Sequence, residues 1–458
     1  MVNQHGFLDK SYLLTKSIAS FICIFFLLLN SEELRAQMPT DYYMPHKEIR
    51  ISSPAMNCDY RMEDIFQMRF NFEFPKLFIS EDNKLTIAFV DEGSKRLFFA
   101  NIIDQNVSIV NSIPSFGDDV WRKWLIVFIR NNNLYLAVIS QLYSGRKRDY
   151  EVRLFSLEKD SSLKLQRNII LKNGVIWHEL NDKSASLSGV YQFDEHKDRF
   201  LIVGRFNDSY FDLRAIYSGH FPKFAKIFSL ILDDNTISGF DLIEEKGQFG
   251  IKNQVYTVSE SGIVHAAWIR DTSCIGFSQK HNETICYSQN NNGTGWAKPL
   301  ELHTLNEIET ISSIRQLALA NDKHSAFILW QEIEKGFYFM EIKDGKQKEV
   351  VKIADIPKHI RPLYDSSSGK ITSDYFGNVY VLWVWNSGFQ SYQMFLKTRI
   401  NGKWTDTVVV NIGVGNIMWP NMQVDKKGVV HVAYAKGPKD KLACYYMKIE
   451  PKPLLLQR

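Results

Sequence analysis

An excess of either charge is missing from this chain. Its 458 residues include 55 lysines and arginines against 51 aspartates and glutamates, a formal net charge of +4. So small a surplus gives no field that would draw nucleic acid or an anionic lipid surface, and neither is expected as a partner. Cysteine is scarce, with five residues in all, at spacings that match no zinc pattern. H-E-x-x-H, P-loop, serine-elbow and Cys-His signatures are lacking. The expectation is therefore no metal and no cofactor. Long apolar runs are lacking as well, outside "IASFICIFFLLL" at residues 18–29.

That run follows Lys10 and Lys16 and precedes "SEELRAQ", which sets the small residue Ala36 before Gln37. It is shorter than the roughly 20 residues a bilayer span needs, so residues 1–36 read as a cleaved secretory signal peptide. Phe21 and Ile22 before Cys23 are not the small residue of a lipoprotein signal. The mature chain, residues 37–458, is expected to be soluble, secreted or periplasmic or at the cell surface, with no integral membrane contact. In an oxidising compartment the remaining cysteines, Cys58, Cys274, Cys286 and Cys444, permit two disulfides.

What the chain does have is bulk and repetition. With 45% hydrophobic and 13% aromatic residues it is far too apolar to be disordered. "VDKKGVVHVAY", ending at Tyr434, is a charged turn followed by alternating apolar residues that stop on a bulky one. The same pattern ends at Trp268 in "SESGIVHAAW", at Trp330 in "NDKHSAFILW" and at Trp383 in "DYFGNVYVLW". Weaker copies reach Phe89, Val138 and Gly204, so that seven end points lie 49 to 66 residues apart. Each period holds four short runs rich in Val, Ile, Phe and Tyr, the content of one antiparallel sheet of a propeller. The fold class is therefore all-β: a single β-propeller of seven four-stranded blades, with six as the alternative.

The carboxyl end stops one strand short, after "KLACYYMKI", and "HKEIRISS" at residues 46–53 could supply the missing strand. The ring would then be closed by strands from both termini. In that arrangement Cys58 and Cys444 would lie at the same seam, and Cys274 with Cys286 would span one hairpin.

The copies in residues 255–447 resemble the sialidase-like propellers with bacterial neuraminidase (BNR) repeats, whose units pair a G-x-V-H-V-A-W strand with a later Gly-x-Trp turn. The turns here are "YSQNNNGTGWAKP" with Trp296 and "TRINGKWTDT" with Trp404. The nearest match to an Asp-box, Gln289, Asn291, Gly293 and Trp296, lacks its Ser and Asp. Sialidases are six-bladed, so the repeat count is closer to the propeller lectins and some polysaccharide lyases. A sialidase-type mechanism implies three arginines on a substrate carboxylate, a Tyr–Glu pair and an acid/base Asp. The arginine-Ile-Pro signature is replaced by Ser112, Ile113 and Pro114, so the catalytic residues are unknown.

In a propeller the connections after the second and fourth strands share one loop-rich face. The former carry Arg205, Arg270, Asp271, Glu332 and Trp385; the latter carry Trp121, Arg122, Trp177, Arg361 and Trp419. Indole rings stack on the apolar faces of sugars while Arg and Asp bond hydroxyls, so these ten residues form the candidate ligand-binding set. His265 and His431 share one repeat position and read as structural. The expected function is a secreted propeller binding carbohydrate or an extracellular protein through this face. The alternative is a sialidase-like glycoside hydrolase or polysaccharide lyase.

Overall fold

The computed structural model describes residues 43–45, 48–54, 56 and, from 75 to 451, all but 81–82, 92–95, 104–105, 114–122, 131–132, 145–146, 158–162, 172–183, 195–198, 208–224, 234–235, 245–249, 260, 272–280, 292–294, 309–313, 334, 357–366, 387–390 and 439–441. No helix occurs among the described residues, and the strands form seven antiparallel sheets. The first comprises Lys76–Ile79, Leu85–Asp91, Arg96–Ile103 and Asn106–Ile113; the second Lys123–Arg130, Asn133–Ser144, Lys147–Leu157 and Leu163–Leu171. The third comprises Ser184–Asp194, Arg199–Asn207, Ala225–Asp233 and Thr236–Glu244; the fourth Gly250–Val258, Ile263–Asp271, His281–Asn291 and Leu300–Ile308. In the fifth, Ile314–Asn321, Ser325–Glu332 and Gly336–Lys343 are completed by Lys346–Gln347 and Val351–Asp355. In the sixth, Ser367–Ser373, Val379–Asn386 and Ser391–Ile400 are completed by Lys403–Trp404 and Val408–Val414. Phe89, Val138, Gly204, Trp268, Trp330, Trp383 and Tyr434 each fall on the second strand of a different sheet.

A side-chain anchor explains why the turn before each of these strands recurs. Asp374 Oδ1 accepts the N–H groups of Phe376 and Asn378, both at 2.9 Å. Asp425 Oδ1 does the same for Lys427 at 2.8 Å and Val429 at 2.9 Å. Ser259 and Ser80 use their hydroxyls on Ile263 and Lys84, each at 3.0 Å. The fourth residue of the turn is left-handed: Gly262, Gly377 and Gly428 have φ of 79°, 79° and 76°, and Asn83 fills that place at 60°.

The seventh sheet joins the chain's ends. Asn416–Val424, Val430–Gly437 and Ala443–Pro451 are in register, and the last also pairs with residues from the amino-terminal side. Ile49 lies opposite Tyr446 and Arg50 opposite Tyr445, within the stretch expected to do so. Pairing reaches further upstream than residues 46–53, because Tyr43–Pro45 lies opposite Ile449–Pro451. Ile51 N–H donates to Cys444 O at 2.8 Å, and Cys444 N–H to Ser52 Oγ at 3.0 Å. Cys444 and Cys286 are buried, while Cys58 and Cys274 lie outside the described residues, as do the two pairings expected for them.

Apolar clusters fill the gaps between adjacent sheets. Trp330, Ile328 and Met340 pack with Ile269 and Tyr287; Phe327 and Phe337 with Trp383 and Val381; Leu382 and Met394 with Val432 and Tyr434. Leu77, Ile87 and Phe89 of the first sheet pack with Ile51, Ala433 and Tyr446 of the last. The first strands of successive sheets neighbour one another, and Asn416–Val424 lies beside Lys76–Ile79. Leu77 N–H donates to Asn421 Oδ1 across that junction at 3.2 Å.

Candidate functional site

Polar groups at the ends of second and third strands tie neighbouring sheets together. Asn386, buried, accepts the N–H of Ile417 through Oδ1 and donates Nδ2–H to its carbonyl, both at 3.0 Å. Glu283, opposite Asp271 in the register and fully buried like it, accepts Ile314 N–H through Oε2 at 2.5 Å. A carboxylate or amide there replaces the ladder that separate sheets cannot form.

Glu332 is a clamp of the same kind. Its Oε1 accepts His303 Nε2–H at 3.0 Å and Trp330 Nε1–H at 3.2 Å, and its Oε2 accepts Lys335 Nζ at 3.0 Å. Burial pushes this carboxyl up, but the hydrogen bonds from His303, Lys335 and Trp330 outweigh it and hold the group down at about 2. The folded state thus binds fewer protons than the unfolded chain. Its stabilisation is complete above the ordinary value of 4.5 and is lost as the pH falls towards about 2. Glu332→Gln is expected to flatten that acid slope, worth on the order of 3 kcal/mol. Urea midpoints measured through this pH range test it; an unchanged slope contradicts the clamp.

The other sequence-derived site residues fall in three groups. Trp121, Arg122, Trp177 and Arg361 lie outside the described residues, and Arg205 is placed only as part of a strand. Arg270 is taken up by an ion pair with Glu301, and Trp385 is buried with its ring 5.1 Å from that of Phe337. Trp419 differs from all of these.

Trp419 sits on the innermost strand of the seventh sheet, partly exposed, with φ of 50° where the register slips between Met418 and Asn421. Asn253 and Gln316 occupy the same kind of slip on the first strands of the fourth and fifth sheets, with φ of 44° and 46°. These three residues precede the bulky end points by 14 or 15 positions, so the bulge belongs to the repeat. Gln316 Oε1 accepts Gly369 N–H of the sixth sheet at 2.7 Å. Gly369 is held to no side chain there, since a Cβ would come within 2.6 Å of the Phe337 ring. An indole in the left-handed region is strained, and such strain persists where the surroundings impose it. The first strands of the fourth, fifth and seventh sheets thus carry a left-handed residue at equivalent positions, an amide in two and an indole in the third. Nothing in the sequence marks a bulge, so Asn253 and Gln316 were not recognisable as site residues.

A tyrosine–glutamate pair is also present, in a different place. Tyr434 O–H donates to Glu48 Oε2 at 2.6 Å, Asn411 Nδ2–H donates to the same oxygen at 3.0 Å, and Lys436 pairs with Oε1. Burial pushes the Tyr434 phenol far up, with the Glu48 charge adding to it, and the side chain is fully buried. This pair locks the seam between the termini. His265 and His431 likewise bond Tyr287 and Tyr446 at 2.7 and 2.8 Å, and burial lowers His265 to about 4. Among the described residues no group of three or more His, Cys, Asp or Glu is arranged to hold a metal ion.

No family model matches the sequence, and no curated protein matches it. Among solved structures, a polysaccharide lyase superposes with a TM-score of 0.54 at 11% identity, covering 89% of this chain and 99% of that one. An α-L-arabinanase from Penicillium chrysogenum gives 0.45 at 10% identity over 88% and 98%, and a Hadza microbial sialidase 0.44 at 10% over 77% and 73%. In fold, this chain resembles that polysaccharide lyase.

Proposed function

We propose that the chain is a seven-bladed propeller, exported after removal of residues 1–36, that binds carbohydrate through the face where the second strands end and the first strands begin. The observation that carries this reading is Trp419. A large ring in strained backbone, partly exposed on a first strand, suits stacking on a sugar face. Asn253, exposed at the equivalent position of the fourth sheet, adds an amide that suits sugar hydroxyls. Of the ten residues expected at this face, Trp121, Arg122, Trp177 and Arg361 remain part of the proposal, on the connections that lead into the inner strands. A protein partner presenting glycans would meet the same face.

A second reading, a polysaccharide lyase, is favoured by the likeness to the solved lyase over nearly all of that chain. A fold hosts many functions, so the distinction lies in the assay. A glycan array with the mature chain, run beside an unsaturated-uronate absorbance assay and a fluorogenic sialoside, separates the two. Binding without turnover is the expected result. Turnover of a uronate polymer would establish the lyase, and silence in all three assays would overturn a carbohydrate role.

A further inference from the structure

The turns at the opposite ends of the second strands carry a surface that the proposed site does not use. Tyr375 and Phe376 form the tip of the turn in the sixth sheet and are 77% and 75% exposed, their rings edge-on at 5.8 Å. The turn itself does not require them. Its shape comes from Asp374, which also accepts Asn378 Nδ2–H at 2.8 Å and Tyr380 O–H at 3.0 Å. At the same two positions other sheets have Glu81 and Asp82, Lys323 and His324, or Lys426 and Lys427. The fourth sheet has Glu260 and Ser261 there, so two exposed aromatics stand where the other turns place polar or charged groups.

The neighbours define the chemistry. Gly377 backs onto the fifth sheet's turn, where a Cβ would come within 3.0 Å of Asp322 Oδ2; Gly428 of the seventh sheet's turn similarly faces Tyr380 Oη at 3.6 Å. The three turns are contiguous, and the aromatic tip has exposed Lys323 and His324 on one side and exposed Lys426 and Lys427 on the other. The order basic, aromatic, basic runs across the sheets as a strip.

We propose that this strip binds an acidic polysaccharide, with the Tyr375 and Phe376 rings against sugar faces and the flanking cations on sulfate or carboxylate groups. Charge complementarity on both sides of the rings selects a polymer that carries anions at intervals. A bilayer fits less well, since the apolar part is only two residues wide and lacks the face that interfacial segments bury. The turn is already held by Asp374, so little ordering is needed on binding.

The test uses the full mature chain with dextran sulfate, polygalacturonate, neutral dextran and anionic phosphatidylserine vesicles as probes. Binding is expected to both acidic polymers, weakening with salt. Tyr375→Ser with Phe376→Ser should cost at least about tenfold in affinity, as loss of two stacking rings would, with the melting temperature unchanged. Lys426→Ala with Lys427→Ala should reduce the salt dependence. Trp419→Ala should leave this binding intact, which separates it from the first site. Equal binding of neutral dextran, binding to vesicles alone, unaltered affinity of the serine variant, or no binding at all would each overturn the proposal.

Discussion

Deleting residues 43–53 is expected to abolish cooperative unfolding of the mature chain. Those residues supply two of the three strands that pair with Ala443–Pro451 and bury Ile51 against Leu77, Phe89 and Cys444. Without them Tyr434, Asn411 and Lys436 lose the Glu48 carboxylate, and the carboxyl-terminal strand becomes an open edge. Stripping an edge strand and its partly buried charge removes an amount comparable to the roughly 5–15 kcal/mol that stabilises a typical domain. Urea unfolding followed by near-ultraviolet circular dichroism checks this. A synthetic peptide of residues 40–56 should restore the transition in trans, while a truncated chain that melts like the full one would show that the termini do not hold the fold.

Trp330→Ala is the substitution expected to cost most at a single position. The ring is 1% exposed, stacks on Tyr338 at 5.7 Å and leans on His303 at 5.3 Å. Emptying a large aromatic site costs about 3–5 kcal/mol, and Glu332 loses one of its donors as well. Trp385→Ala should fall in the same range, since its ring is buried against Phe337. Chemical denaturation of both variants tests the values; losses below about 1 kcal/mol would mean that the sheets do not meet where these rings lie.

The parts of this architecture that recur were legible, because repetition multiplies a weak local signal. Trp268, Trp330, Trp383 and Tyr434 mark second strands in four sheets, and the Asp or Ser three to five residues before each strand marks its turn. Singular features were not. Glu48 acts on Tyr434, 386 residues away, and nothing in "PHKEIR" announces a carboxylate with that partner. Asp271 and Asn386 look like loop ligands in sequence, yet they are buried where one sheet meets the next. Trp385 misleads for another reason: every residue of Val379–Asn386 is buried, so alternation could not tell which side its ring takes. Trp419 was read as an aromatic on a connection, whereas it lies within Asn416–Val424, and its left-handed backbone was invisible without coordinates.

The claim that joins these observations is that Trp419 is retained for a ligand and not for packing. The direct measurement compares wild type with Trp419→Ala for affinity towards the best glycan of the array and for melting temperature. The account predicts that affinity falls at least about tenfold, a difference of 1.4 kcal/mol, while the melting temperature stays the same or rises slightly as backbone strain is eased. A loss of about 3–5 kcal/mol in stability with unchanged affinity would contradict it, placing Trp419 in the packing between sheets with Trp330 and Trp385.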